Sequence, residues 1–261
     1  FTLGNNGGGN NSGSTYVAWC WKANGSASSN SNGTITSSVS ANNTYGFSIV
    51  TWSGSTANAT VGHGLTAAPK IIFLKRIDGT TGFYVYHNSV GPTKTGYLYG
   101  TTVFETYAAA YNNTDPTNSV FSVGSASATN SGNMLAYCWS EVPGFSKFGS
   151  FTHSSTTSLN LGFKPKFFLI KETDGTTPWY IFDAERDSFD DPLFPNTDSA
   201  EGNGFAFTAN DSGISWVSGS LNAGTYIYAA FAAKPDTAPV DSLIDTPTDY
   251  TATGSGNNAG N

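Results

Sequence analysis

Apolar and polar positions along this chain follow a strand rhythm. Short apolar words of four to seven residues, such as "KIIFLKR", "FYVYH", "AYCW" and "YIYAAF", are separated by runs of Gly, Asn, Ser and Thr. Words of that length built from β-branched and aromatic residues suit pleated, half-buried surfaces, and the intervening residues supply turn geometry. The most informative word is long: "PKIIFLKRIDGTTGFYVYH" at Pro69–His87 returns as "PKFFLIKETDGTTPWYIFD" at Pro165–Asp183, 96 positions later. The first half of each copy is apolar on both faces, as a central strand between two layers requires, and the second half reads as its returning partner. "DGTT" predicts a tight hairpin turn in which Gly79 or Gly175 supplies positive φ. Pro69 and Pro165 precede the first strand, where a missing N–H costs least.

The repeat extends beyond this phrase. "GFSIVTW" (from Gly46) corresponds to "GFSKFGSF" (from Gly144) after a one-residue insertion, and "NSGNMLAYCWSE" (from Asn130) to "NAGTYIYAAFAA" (from Asn222). A third copy of that closing phrase, "NSGSTYVAWCWKA", stands at Asn11–Ala23. The predicted organisation is therefore residues 1–23 as the C-terminal strands of a preceding module, 24–45 as a flexible Ser/Asn-rich linker with a strand at "TITSSV", 46–143 as module one, 144–235 as module two, and 236–261 as a Pro/Thr-rich linker to a following domain. The joint "EVPGFSKF" is short enough to fix the modules as a semi-rigid rod or a pseudo-symmetric pair. With roughly 7–9 strands in ~95 residues, each module reads as all-β, a jelly-roll-like β-sandwich, with a closed barrel as the alternative. Residues 1–23 cannot form a core alone and must pack on upstream chain, on module one or across to a neighbouring protomer.

Composition narrows the function. The chain has 261 residues, a net charge of −7 and only 11 Lys plus Arg, scattered singly. No basic stripe exists to follow a phosphate backbone, which argues against nucleic acid. The longest apolar runs fall far below the ~20 residues of a membrane helix, which argues against membrane insertion. The N-terminus shows no signal-peptide pattern, and Phe1 reads as a point inside a strand, so the sequence is expected to be a segment of a longer chain. Two cysteines, Cys20 and Cys138, fix no redox compartment; they occupy equivalent places in successive copies and read as core packing.

Candidate chemistry is sparse. His63, His87 and His153 lie in unrelated contexts and form no metal-ligand spacing. The densest carboxylate cluster is "FDAERDSFDDP", where Asp183, Glu185 and Asp187 form an oxygen-rich loop of the kind that binds Ca²⁺, although the EF-hand Gly and Glu are missing. The same cluster is the sole basis for a glycosidase acid–base pair. No cofactor signature appears. Trp19, Trp21, Trp52, Trp139, Trp179 and Trp216 are candidates to face a glycan, since indoles stack on sugars while hydroxyls and amides hydrogen-bond to them. If buried, those rings belong to a scaffold instead.

The ordered phrases "GFSIVTWSGSTANATVGHGLTAAPKIIFLKR", "FYVYH", "NSGNMLAYCWSEVPGFSKFGSF" and "YIYAAFA" resemble the tandem repeat region of tail-fibre-like virion structural proteins of marine bacteriophages, including cyanophages. That resemblance covers about residues 1–233 and implies a non-enzymatic virion surface protein, a tail fibre, spike or other appendage. It implies partnership with other virion proteins, homo-oligomeric assembly and contact with host cell-surface polysaccharide. Two alternatives stand beside it: a capsid-decoration or appendage subunit that binds only other virion proteins, and a polysaccharide-degrading enzyme.

Overall fold

The computed structural model describes residues 11–154 and 157–233, together with strand positions 244–245 and 250–251. The chain is nearly all β. Its first strands are β1 (Thr15–Tyr16), β2 (Cys20–Trp21), β3 (Ser28–Asn30) and β4 (Ser37–Asn42). The first repeat contributes β5 (Phe47–Ser55), β6 (Ala59–Gly62), β7 (Ile71–Arg76), β8 (Tyr84–His87), β9 (Lys94–Tyr97), β10 (Glu105–Thr106), the single-turn α1 (Ala108–Tyr111), β11 (Val120–Val123) and β12 (Ser131–Trp139). The second contributes β13 (Ser146–His153), β14 (Ser158–Asn160), β15 (Pro165–Glu172), β16 (Tyr180–Asp183), β17 (Phe207–Asn210), β18 (Gly213–Trp216) and β19 (Gly224–Ala232). Finally β20 (Ile244–Asp245) pairs with β2 and β21 (Tyr250–Thr251) with β1. The rest of the expected exit linker at 236–261 lies outside the described residues. Among those residues no helix is long and apolar enough to cross a membrane.

Both repeats use one strand order. Repeat one is β8-β7-β12-β5 inside an eight-stranded antiparallel sheet, and repeat two is β16-β15-β19-β13 in a four-stranded sheet. Ile71 pairs with Trp139 and His87 just as Phe167 pairs with Phe231 and Asp183. Each large sheet packs one face on a small sheet of its own repeat. Val50, Trp52, Ile72, Leu74, Met134 and Phe121 form one such core, while Phe168, Phe182, Phe207 and Trp216 lie in the other. The opposite faces of the large sheets meet each other. Because strand side chains alternate in direction, Phe167 and Leu169 turn to this meeting face while Phe168 and Ile170 turn inward.

Three sequence expectations change. The 24–45 linker is part of the sheet: β3 pairs β4, β4 pairs β5, and Val39 is buried. Its serines and asparagines look like linker composition, but they tie the backbone down. Ser37 Oγ donates to Gly62 O (2.8 Å), and Ser40 Oγ donates to Gly25 O (2.8 Å) while accepting from Asn24 N. Second, "DGTT" is no two-residue hairpin. The connections run over 77–83 and 173–179, and neither Gly79 nor Gly175 takes positive φ. The repeated aspartate explains the phrase instead: Asp78 accepts from Asn133 N and Asp174 from Thr225 N, both at 2.9 Å, so each loop is pinned to its closing strand. A Cβ at Gly175 would strike the Glu172 carboxylate, which would have to swing aside. Third, "GFS" does not align with "GFS". Ser140 N bonds to Gly46 O, and the equivalent Ala232 N bonds to Phe145 O. A one-residue slip would turn a strand's faces over; here the inserted residue absorbs it. Phe151 thus faces Trp216 as Trp52 faces Phe121.

Candidate functional site

The six tryptophans separate into two groups. Trp52, Trp139, Trp179 and Trp216 are core side chains, none more than 6% exposed, which corrects the expectation that they face a glycan. Each ring brings ~150–250 Å² of surface, and packing it against another ring is worth more than leaving it wet. Trp216 lies between Phe151 and Phe207, its Nε1 donating to His153 Nδ1 at 3.2 Å. Trp179 Nε1 donates to Tyr97 O of the other repeat at 2.8 Å. Trp19 and Trp21 remain half-buried, lying edge-on to Phe167 at 6.0 and 5.2 Å.

The carboxylate loop organises itself rather than a metal. Asp183 is fully buried, with Oδ1 accepting from the backbone N–H groups of Glu185 and Arg186 and Oδ2 facing Arg186 Nε at 3.3 Å. Asp187 accepts from Phe189 N and Asp191 N and also meets the Arg186 guanidinium, which pairs with Glu201 as well. Glu185 turns away to Lys166 Nζ at 2.6 Å. Arg186 therefore stands where a cation shared by Asp183 and Asp187 would sit, so the calcium trio does not converge. Among the described residues no three of His, Cys, Asp and Glu gather as a ligand set. Asp183 presents nothing to a cleft, which removes the observation behind a glycosidase pair.

The remaining titratable groups in the interior are satisfied locally. His63 Nε2 donates to Thr117 O (3.1 Å) and its Nδ1 accepts from Leu65 N; burial holds this imidazole below its ordinary pKa. His87 spans the repeats, with Nε2 donating to Tyr228 O (3.1 Å) and Nδ1 accepting from Ser89 N; burial lowers it to about 4. Cys20 and Cys138 are free, and burial pushes the Cys138 thiol up.

Among the described residues, two concave surfaces stand out. One is an apolar cleft of about 410 Å³ where the large sheets meet, walled by Phe73, Tyr137 and Trp139 on one side, Phe167 and Phe231 on the other, with Trp19 and Trp21 along it. The N–H groups of Trp19, Trp21 and Trp139 find no acceptor there. The second is a groove of about 530 Å³ beside β3, β4 and β5, where the polar side chains of Ser29, Thr36, Ser38, Thr51, Ser53 and Asn133 alternate with apolar surface from Ile77 and Met134, with Trp52 beneath. Trp52 Nε1 is likewise without a partner. The cleft was half legible: Trp19 and Trp21 flank Cys20 as Tyr137 and Trp139 flank Cys138, so strand alternation gathers these rings on the face opposite the cysteines. The groove was hidden, because most of its hydroxyls lie in the stretch that composition assigns to a linker.

A family model described as "Domain of unknown function (DUF7483)" matches residues 1–235, taking in the N-terminal strands and both repeats. No curated protein and no solved structure matches. The chain belongs to the DUF7483 family.

Proposed function

We propose that this DUF7483 chain is a non-enzymatic structural segment of a bacteriophage particle, part of a tail fibre, spike or other surface appendage, whose hydroxyl-bearing groove meets host cell-surface polysaccharide. The groove carries this reading. Its wall carries the hydroxyls of Ser29, Thr36, Ser38, Thr51 and Ser53 and the amide of Asn133. Neutral sugars present hydroxyls that exchange hydrogen bonds with such groups, and no large side-chain rearrangement is required to reach them. The resemblance to tail-fibre-like repeats supplies the setting, and the rigid union of two modules is what a load-bearing appendage uses. Other virion proteins and further copies of this chain are its expected neighbours.

The test is a bacterial glycan array probed with the purified chain, its assembly state fixed beforehand by light scattering. Binding to a defined polysaccharide is expected, and Asn133→Ala with Thr51→Ala should abolish it while the melting curve stays unchanged. An array blank at every glycan would overturn the polysaccharide reading. It would favour a second one, a decoration or appendage subunit that binds only virion proteins, for which the apolar cleft is the specific observation.

A further inference from the structure

The contact between the two repeats is one-sided. Repeat one gives the edge of β9 and β10, and repeat two receives it with its hairpin: Trp179 Nε1 donates to Tyr97 O, Phe104 N donates to Thr173 O (2.9 Å), and the Trp179 ring lies 6.4 Å from Phe104. The reverse pairing is not made. Phe83, the counterpart of Trp179, is only half-buried, and its ring neighbours among the described residues, Phe73 and Tyr137, belong to its own repeat. Phe194 and Pro195 follow β16 where Tyr97 and Leu98 follow β8; Phe194 lies on Tyr180 of its own repeat at 5.7 Å, and Pro195 borders the cleft. A head-to-tail contact leaves one unfilled surface of each kind and is continued by another copy of the same unit, closing into a ring when the rotation allows.

Where the ring would close is marked by three equivalent residues. Trp21, Trp139 and Phe231 hold the same place in the three closing strands, and Trp21 lies 5.8 Å from Trp139 and 5.5 Å from Phe231. β12 and β19 each have strands on both sides, whereas β2 has β20 on one side and, among the described residues, none on the other. We propose that the apolar cleft is the seat of a third β-repeat of this same type, the one whose closing strand is β2. Its hairpin would pack on Phe194 and Pro195, its β9-like edge would cap Phe83, and its sheet would complete a three-repeat ring about Trp21, Trp139 and Phe231. A second copy of this chain fits less well, since both of its repeats already hold closing strands of their own. The inference rests on repeat geometry and is independent of the virion reading.

The test adds the missing unit. A chain with a copy of residues 46–130 placed ahead of residue 11 gives β2 a module to close. Loss of anilinonaphthalene sulfonate fluorescence, together with protection of Trp19 and Trp21 from acrylamide, is the expected result. Unchanged dye uptake by a folded extended chain would overturn it. Should the extended chain not fold, the unmodified chain decides. It is expected to take up the dye at every concentration and to lose that uptake in Phe83→Glu, whereas a self-associated form that excludes dye would place a second copy in the cleft and overturn the proposal.

Discussion

Repeat one and repeat two carry the same hairpin phrase and spend it differently. Lys75 and Lys171 are equivalent, yet Lys75 lies 5.4 Å over the face of Phe83 while Lys171 is buried, its ammonium donating to Glu172 O (2.7 Å) and Gly175 O (3.1 Å). Phe83 borders an open cleft; Trp179 is sealed beneath its neighbour. His87 reaches across to the other repeat, and Asp183 folds its own loop around Arg186. Backbone pairing is shared because the alternation of apolar positions and the Asp78 and Asp174 pins are shared. What differs is which face each copy presents to the other, and that is a property of the pair.

Removing the sealed ring should give the largest difference between the copies. Trp179→Ala strips a fully buried indole and leaves Tyr97 O without its donor, so a loss of ~3–5 kcal/mol is expected in urea unfolding. Phe83→Ala removes a ring with an open side and should cost about 1 kcal/mol. Equal losses would mean that Phe83 is covered in solution.

The strands of both repeats were legible in the sequence, because a buried central strand needs an unbroken apolar run and "KIIFLKR" and "KFFLIKE" provide one. The one-residue insertion was legible but its position at Phe145 was not, since identical letters at Gly46 and Gly144 invite an alignment that only the backbone bonds to Ser140 and Ala232 correct. Ser37 and Ser40 look like linker residues for the same reason that they look like caps: a hydroxyl satisfies backbone groups in either role. The tryptophans show a different limit. Composition reveals that six indoles exist, but whether Trp139 lies open to a sugar or is covered depends on the facing sheet of repeat two, which no local pattern encodes.

The lysine pair gives the next contrast. Lys171→Ala leaves two carbonyls without their donor and opens a void, for about 2–3 kcal/mol, whereas Lys75→Ala should stay within ~1 kcal/mol. Burial lowers Lys171 to about 8, against an ordinary value near 10.5. Between those values the unfolded chain holds a proton that the folded chain has released, so stability should rise as pH increases from about 8 toward 10. Lys171→Met should flatten that rise in urea titrations, and a slope identical to that of the parent would show that the amine is not confined as described.

The effect of the His87 bridge appears only in acid. His87 is neutral in the fold, with its pKa lowered to about 4 by burial, while an unfolded histidine titrates near 6.5. From pH 6.5 down to 4 the unfolded chain takes up a proton that the fold refuses, so stability is intact above this window and is lost as pH falls through it, by up to about 1.4 kcal/mol per pH unit. His63 and Asp78, both held below their ordinary values, contribute in the same direction, so the measured quantity is the difference between parent and His87→Gln. The glutamine amide can still donate toward Tyr228 O but takes up no proton. The variant should unfold less steeply with acid while matching the parent at pH 7.5 to within about 1 kcal/mol. Parallel acid curves would locate the sensitivity elsewhere and leave the bridge between repeats as packing alone.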